Sequence, residues 1–279
     1  MAILGSGDLA ATLARRLAEA ERARRVVLVD EDIGRARGKA LDIAQSGPVD
    51  GFDVRVEGVT DLGAAGRADV VVVADPADLP DGPGRPSPAL IARLRAASAG
   101  FLLVASPHAC ALVEDLVAAG HPRERVVGSA PVAQVAALRR RLAEELEVAP
   151  REVAATVLGI PPHGLLAPQG SASVGGMPVS ALRPAALRQA LAAVSARAPG
   201  PVALAAAAAR VLQALAGSRP SVLPVVAWLA GEYGHRGVAL AVPARLGSGE
   251  LEGVLELPLE PVERIALDNA AQRRAARRG

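Results

Sequence analysis

The chain has 279 residues, 51% of them hydrophobic and 22% charged, and its 31 Lys and Arg against 29 Asp and Glu leave a formal net charge of +2. That length suits one large domain or two modest ones, and charge so nearly balanced gives no positive field for dedicated nucleic-acid binding. A single cysteine, Cys110, excludes an intrachain disulfide framework, and no apolar stretch reaches the roughly 18 residues of a membrane span without charge or proline. No cationic, apolar leader precedes the first predicted strand, so a cytoplasmic protein is expected. Four aromatics, Phe52, Phe101, Trp228 and Tyr233, serve the whole chain, so its core must be built from Ala, Val and Leu.

The first predicted strand, Ala2–Leu4, breaks at Gly5-Ser6-Gly7 and leads into a predicted helix over 8–21, with Leu9, Leu13 and Leu17 at helical spacing. Gly5 allows a sharp turn out of a strand and Gly7 a close approach of backbone to a pyrophosphate. The helix that follows offers free N–H groups and the positive end of its dipole. Ala10 takes the place of the third glycine of this phosphate-loop pattern, a permitted variant. Residues 26–29 form a continuous apolar run, as a strand buried on both faces requires, and it ends in Asp30. About 20 residues beyond the glycines, an acidic side chain accepts hydrogen bonds from adenosine ribose hydroxyls and repels a 2′-phosphate. NAD is therefore the expected cofactor, and a Rossmann-like half with an unoccupied crevice is the alternative. A helix over 38–45 and strands at 54–56 and 68–74 follow.

From here the series Gly5-Ser6-Gly7, residues 26–30, residues 38–45 and residues 69–74 resembles the malate and lactate dehydrogenase family. The likeness resumes at 120–128, 139–148 and 153–159, then at Val222-Leu223-Pro224, 231–238 and 242–247. It implies an α/β fold: a Rossmann-type parallel-sheet domain over 1–128, then an α+β substrate domain over 129–279. It also implies NAD(H) and a small carboxylic acid as partners. Because the helix of Lys39 lies at a subunit interface in that family, a homo-oligomer, dimer or tetramer, is implied as well. The expected cofactor contacts are Gly5, Gly7, Asp8, Leu9, Asp30, Ala74 and Ser106; no metal site is expected.

The family's chemistry is hydride transfer between nicotinamide and a 2-hydroxy or 2-keto acid. It needs a histidine to move the hydroxyl proton, an aspartate to orient it, one arginine to grip the substrate carboxylate and a mobile-loop arginine to polarise the carbonyl. The histidine position holds Pro161, the aspartate position Gln134 and the carboxylate-arginine position Ala137. Proline does not titrate, Gln134 carries no charge, and Ala137 has nothing with which to grip. His163 and Arg85 are weak substitutes, one displaced by two residues and the other held between prolines. Ser106 replaces the asparagine that contacts substrate and nicotinamide ribose. Intact scaffold beside substituted catalytic positions reads as a member that binds NAD and has lost the family reaction, leaving a sensing, regulatory or assembly role. Two alternatives stay open: an active NAD-dependent oxidoreductase using His163, Ser106 and Arg85, and an interaction protein with an empty crevice.

Elsewhere, helices are expected over 184–196 and 202–215, and a hairpin turn at Ser248-Gly249-Glu250. Arg139 is expected on a solvated helix face and Cys110 as a buried structural thiol. The basic tail from Arg273 to Arg278 is expected as a solvated helix end, free to touch acidic surfaces.

Overall fold

The computed structural model describes residues 1–63, 68–75, 86–96 and 100–276. The first part alternates strand and helix: β1 (Ala2–Leu4), α1 (Asp8–Glu19), β2 (Arg25–Val29), α2 (Ile33–Asp50), β3 (Arg55–Val59), β4 (Val70–Val73), α3 (Pro88–Ala96), β5 (Phe101–Val104), α4 (Ala109–Ala118) and β6 (Val126–Gly128). The strands pair in the order β3-β2-β1-β4-β5-β6, all parallel. The order reverses between β1 and β4, and ligands of open α/β sheets bind outside the carboxyl ends of the strands at such a point.

Burial follows the two-residue period of a strand. Ile3, Leu28, Val72 and Leu103 enter one core, which includes the leucines of α1 and of a later helix, whereas Leu4, Val29, Val73 and Val104 enter another, beneath α3 and α4. Each fully buried leucine contributes about 1.5–3 kcal/mol, so an aliphatic core suffices without aromatics. α1 ends two residues before the expected boundary because Glu21 turns left-handed at φ +47°.

The second part comprises α5 (Ala130–Leu146), β7 (Val153–Ala154), β8 (Leu158–Ile160), β9 (Gly164–Leu166), β10 (Ser173–Val174), β11 (Met177–Pro178), α6 (Val179–Leu182), α7 (Ala186–Ser195), α8 (Pro201–Leu215), β12 (Ser221–Ala230), β13 (Arg236–Gly247), β14 (Glu250–Val254) and α9 (Pro261–Ala276). The long antiparallel pair β12–β13 continues the first sheet beyond β6, and β8, β9 and β14 extend it. The seam is one residue wide, Gly128 opposite Val226. A Cβ at Gly128 would lie 2.6 Å from Ala109 Cβ and 2.9 Å from Val226 Cβ, so only glycine lets α4 and β12 close over β6. A third cluster joins α5 to α7 through Leu138, Leu142, Leu187 and Val194.

Cys110 is buried in α4 as expected. Two arginines depart from expectation. Arg139 is half-buried and donates from Nη2 to the Pro150 carbonyl at 3.0 Å instead of lying on a solvated face. Arg274, expected on a solvated helix end, is buried against Glu114 because α9 folds back onto α4. Among the described residues no helix is long and apolar enough to cross a membrane.

Candidate functional site

The glycine turn lies at the carboxyl end of β1, at the reversal of strand order. Gly5 has φ +108°, a conformation that disfavours any side chain, and its N–H donates to the Val29 carbonyl at 2.7 Å. Ser6 is fully buried and donates from Oγ to Asp30 Oδ2 at 2.5 Å, while Asp30 Oδ1 accepts the Asp32 N–H at 3.0 Å. The acidic residue at the end of β2 is thus clamped beside the turn, as the spacing argument requires. Gly7 precedes α1 in extended conformation and supplies no side-chain cap, which leaves the N–H groups of the first turn to other partners.

The expected contacts divide by environment. Gly5, Gly7 and Asp30 gather at the turn, and Asp8 stands exposed on the first turn of α1. Leu9 sends its side chain into the core, so only its backbone is available to a ligand. Ala74 is buried, and its N–H is spent on the Leu4 carbonyl at 3.0 Å. Ser106, nearly buried after β5, accepts the His108 N–H at its Oγ at 3.1 Å. Arg85 and most of its loop lie outside the described residues.

One residue at this site escaped the sequence reading. Asp75 follows β4, the neighbour of β1, and its Oδ2 accepts the Ala10 N–H at 2.8 Å, capping the first turn of α1 from across the sheet. A Cβ on Gly5 would fall 2.7 Å from the Asp75 backbone, and one on Gly7 2.8 Å from Asp75 Oδ2. Burial pushes the Asp75 carboxyl above its ordinary range; the Ala10 N–H and Arg35 pull it down, and the negative charges of Asp8 and Asp30 add to the rise. The backbone cradle and Asp30 fit a dinucleotide. A carboxylate already seated on the helix N-terminus does not.

In the second part of the chain, Gln134 in α5 is 1% exposed and donates from Nε2 to the Pro162 carbonyl at 2.8 Å; its Oε1 has no hydrogen-bond partner among the described residues. Pro161 and Pro162 are both buried and joined by a cis peptide just after β8. The Gln134 side chain, expected at the orienting position, thus holds a backbone carbonyl, and neither partner titrates. Ala137 lies exposed one turn further along α5. With Gln134, Arg140, Arg141 and Arg197 it lines a cavity of about 210 Å³, although Arg140 and Arg141 both pair with Glu144. His163 is exposed, and its Nδ1 lies 2.6 Å from the Ser195 carbonyl. A donor is needed at that nitrogen, so in the neutral ring Nε2 carries the lone pair. His108 lies near enough to feel it: burial lowers the His108 pKa and the charge of His163 lowers it further.

A larger cavity, about 760 Å³, opens at the amino ends of the strands between Met1, Arg25, Asp69 and Phe101. That is the wrong end of the sheet for the glycine turn, so the candidate site remains at the carboxyl ends.

Residues 1–80 match the family model described as NADP oxidoreductase coenzyme F420-dependent. The malate dehydrogenase of Salinibacter ruber is 32% identical over 96% of this chain and 92% of its own length. A solved structure of malate dehydrogenase from Salinibacter ruber superposes with TM-score 0.87, covering 99% of this chain and 95% of that one at 29% identity. The lactate dehydrogenase of Cryptosporidium parvum, solved with lactic acid and nicotinamide adenine dinucleotide, gives TM-score 0.86 at 25% identity over 99% of this chain and 95% of that one.

Proposed function

The chain belongs to the malate/lactate dehydrogenase family, and from that premise we propose that it binds NAD(H) at the glycine turn and has lost the family's hydride-transfer reaction. On this reading Gly5, Gly7 and the first turn of α1 hold the phosphates, Asp30 the adenosine ribose, and Ser106 the nicotinamide side. NAD supplies hydride chemistry wherever it is bound, but the chain must supply proton transfer and a carboxylate grip. The observation that supports this reading is the 2.8 Å bond from Gln134, read at the aspartate position, to the carbonyl of Pro162, the neighbour of Pro161 that is read at the histidine position; none of the three side chains titrates. Loss of acid/base catalysis alone costs about 10²–10⁴ in rate. A regulatory, cofactor-sensing or assembly role is what remains.

The deciding experiment is an NADH fluorescence titration run beside an oxaloacetate reduction assay. Saturable binding without turnover is the expected result. Turnover at an ordinary enzymic rate, roughly 1–10³ per second, sinks the reading, and absence of binding favours an interaction protein with an empty crevice.

A second reading, an active oxidoreductase on another small 2-keto or 2-hydroxy acid, draws on His163. Its Nδ1 contact with the Ser195 carbonyl fixes the tautomer a general base needs. It requires that His163→Ala abolish an NADH-dependent activity; an unchanged rate removes it.

We also assign self-association to α2, where Leu41 (58% exposed) and Val49 (86% exposed) stand outward. Sedimentation of the chain should give a dimer or tetramer, and Leu41→Glu should shift it toward monomer. A cytoplasmic location belongs to the same proposal, and fractionation of the source cells tests it.

A further inference from the structure

We propose that Asp75 controls entry to the phosphate cradle: its carboxylate is a resident anion on the first turn of α1, and a dinucleotide displaces it only as Asp75 takes up a proton. The proposal rests on the dinucleotide reading above and adds a residue that sets when, and how tightly, the cofactor binds.

The sheet makes this placement unavoidable. β4 pairs with β1 in register, Leu4 opposite Val73, so the chain leaving β4 passes directly over the glycine turn. The Asp75 N–H donates to the Leu4 carbonyl at 3.2 Å, which anchors the main chain. From there Oδ2 reaches the Ala10 N–H, one of the donors that a phosphate at a helix N-terminus would use. The two glycines leave no room between turn and carboxylate, because a single methyl group on either would collide with Asp75. A pyrophosphate approaching these donors therefore meets a negative charge already in its place.

The surroundings do not neutralise that charge. Asp8 faces it from α1 and Asp30 from the end of β2, both negative, and Arg35 on α2 is the cation whose field reaches it among the described residues. Like charges brought together favour protonation of one of them. As a dinucleotide arrives, a proton moves from solvent to the Asp75 carboxylate and the Ala10 N–H passes to a phosphate oxygen. The neutral carboxyl then has an O–H to donate to the same phosphate, so the competing group becomes a donor. No bond other than hydrogen bonds changes.

The test uses the full chain, wild type and Asp75→Asn, titrated with NADH from about pH 8 to about pH 5.5. Asn keeps a carbonyl oxygen for the Ala10 N–H, so the cap survives while the charge goes. Wild-type affinity should rise as the pH falls, by up to about tenfold per pH unit above the carboxyl's own pKa. Asp75→Asn should bind at least about tenfold more tightly at the alkaline end and vary little with pH. Calorimetry of the wild type in two buffers of different ionisation enthalpy should report close to one proton taken up per NADH. Binding by Asp75→Asn alone also supports the proposal. Equal affinity of both proteins at every pH, or the same pH dependence in the variant, overturns it and leaves the dinucleotide reading intact. If neither protein binds at any pH, both readings fall together.

Discussion

Glu114 and Arg274, 160 positions apart, form a two-point ion pair in the interior: Nε to Oε1 at 2.9 Å and Nη2 to Oε2 at 2.8 Å, with the side chains 1% and 7% exposed. Glu114 Oε1 also accepts the Ala239 N–H at 2.9 Å, so one carboxylate ties α4 to α9 and β13. Removing one partner of a buried pair strands the other's charge and costs about 3–5 kcal/mol. Arg274→Ala should lose that much unfolding free energy in urea at neutral pH. The double variant with Glu114→Ala should lose clearly less than the sum of the two single changes.

Cys110 should be chemically silent in the native protein. Burial pushes its thiol up to about 12, the positive charge of Arg274 pulling only partly against it. At about pH 8 roughly one molecule in 10⁴ would carry a thiolate, the reactive form. Alkylation or disulfide-exchange reagents should label the single thiol only after denaturant is added; rapid stoichiometric labelling without denaturant would contradict the buried placement.

Asp75 should leave a trace in stability as well as in binding. Its folded carboxyl is raised above the value of the unfolded chain, so the folded state holds the proton more tightly. Its contribution is fully present below the unfolded pKa, about 3.8, and is lost as the pH rises through the raised folded value. Asp75→Asn should therefore gain stability over wild type at pH 7, and the gain should shrink toward pH 4. Urea melts of both proteins across that range supply the comparison, and a gain that grows on acidification would reverse the sign.

Gln134 should be structural. Gln134→Ala takes the donor from the Pro162 carbonyl, and a buried acceptor left unsatisfied costs about 1–3 kcal/mol, with a cavity cost besides. Gln134→Leu is the sharper comparison, because it also removes an amide oxygen that has no partner among the described residues and fills the volume. It should cost less than the alanine in thermal unfolding; equal losses would mean that the Pro162 bond carries the whole effect.

Much of this could be read from the chain because it depends on neighbours in sequence. The apolar runs of β2, β4 and β5, the leucine spacing of α1 and the distance from Gly5 to Asp30 are local patterns. Pro161, Gln134 and Ala137 stood out by alignment with the family's motifs. Asp75 did not, because its role needs the fact that β4 lies beside β1, and nothing near Asp75 in sequence announces the glycine turn. Arg274 looked like one more cation in a basic tail until α9 returned to Glu114, and Arg139 meets the Pro150 carbonyl only because the chain turns back just after α5. The two-residue strands β7, β10 and β11 are too short to show any periodicity.

The seam at Gly128 sets where this chain can change and where it cannot. The proline pair and Asp75 sit on connections beyond the strand ends, away from the join of β6 to β12. A single added methyl group at position 128 would force Ala109 and Val226 to move where β6 meets β12. Chemistry can thus be replaced on the loops, while the direct strand-to-strand join of the two halves turns on the one hydrogen atom that stands where every other amino acid carries a carbon.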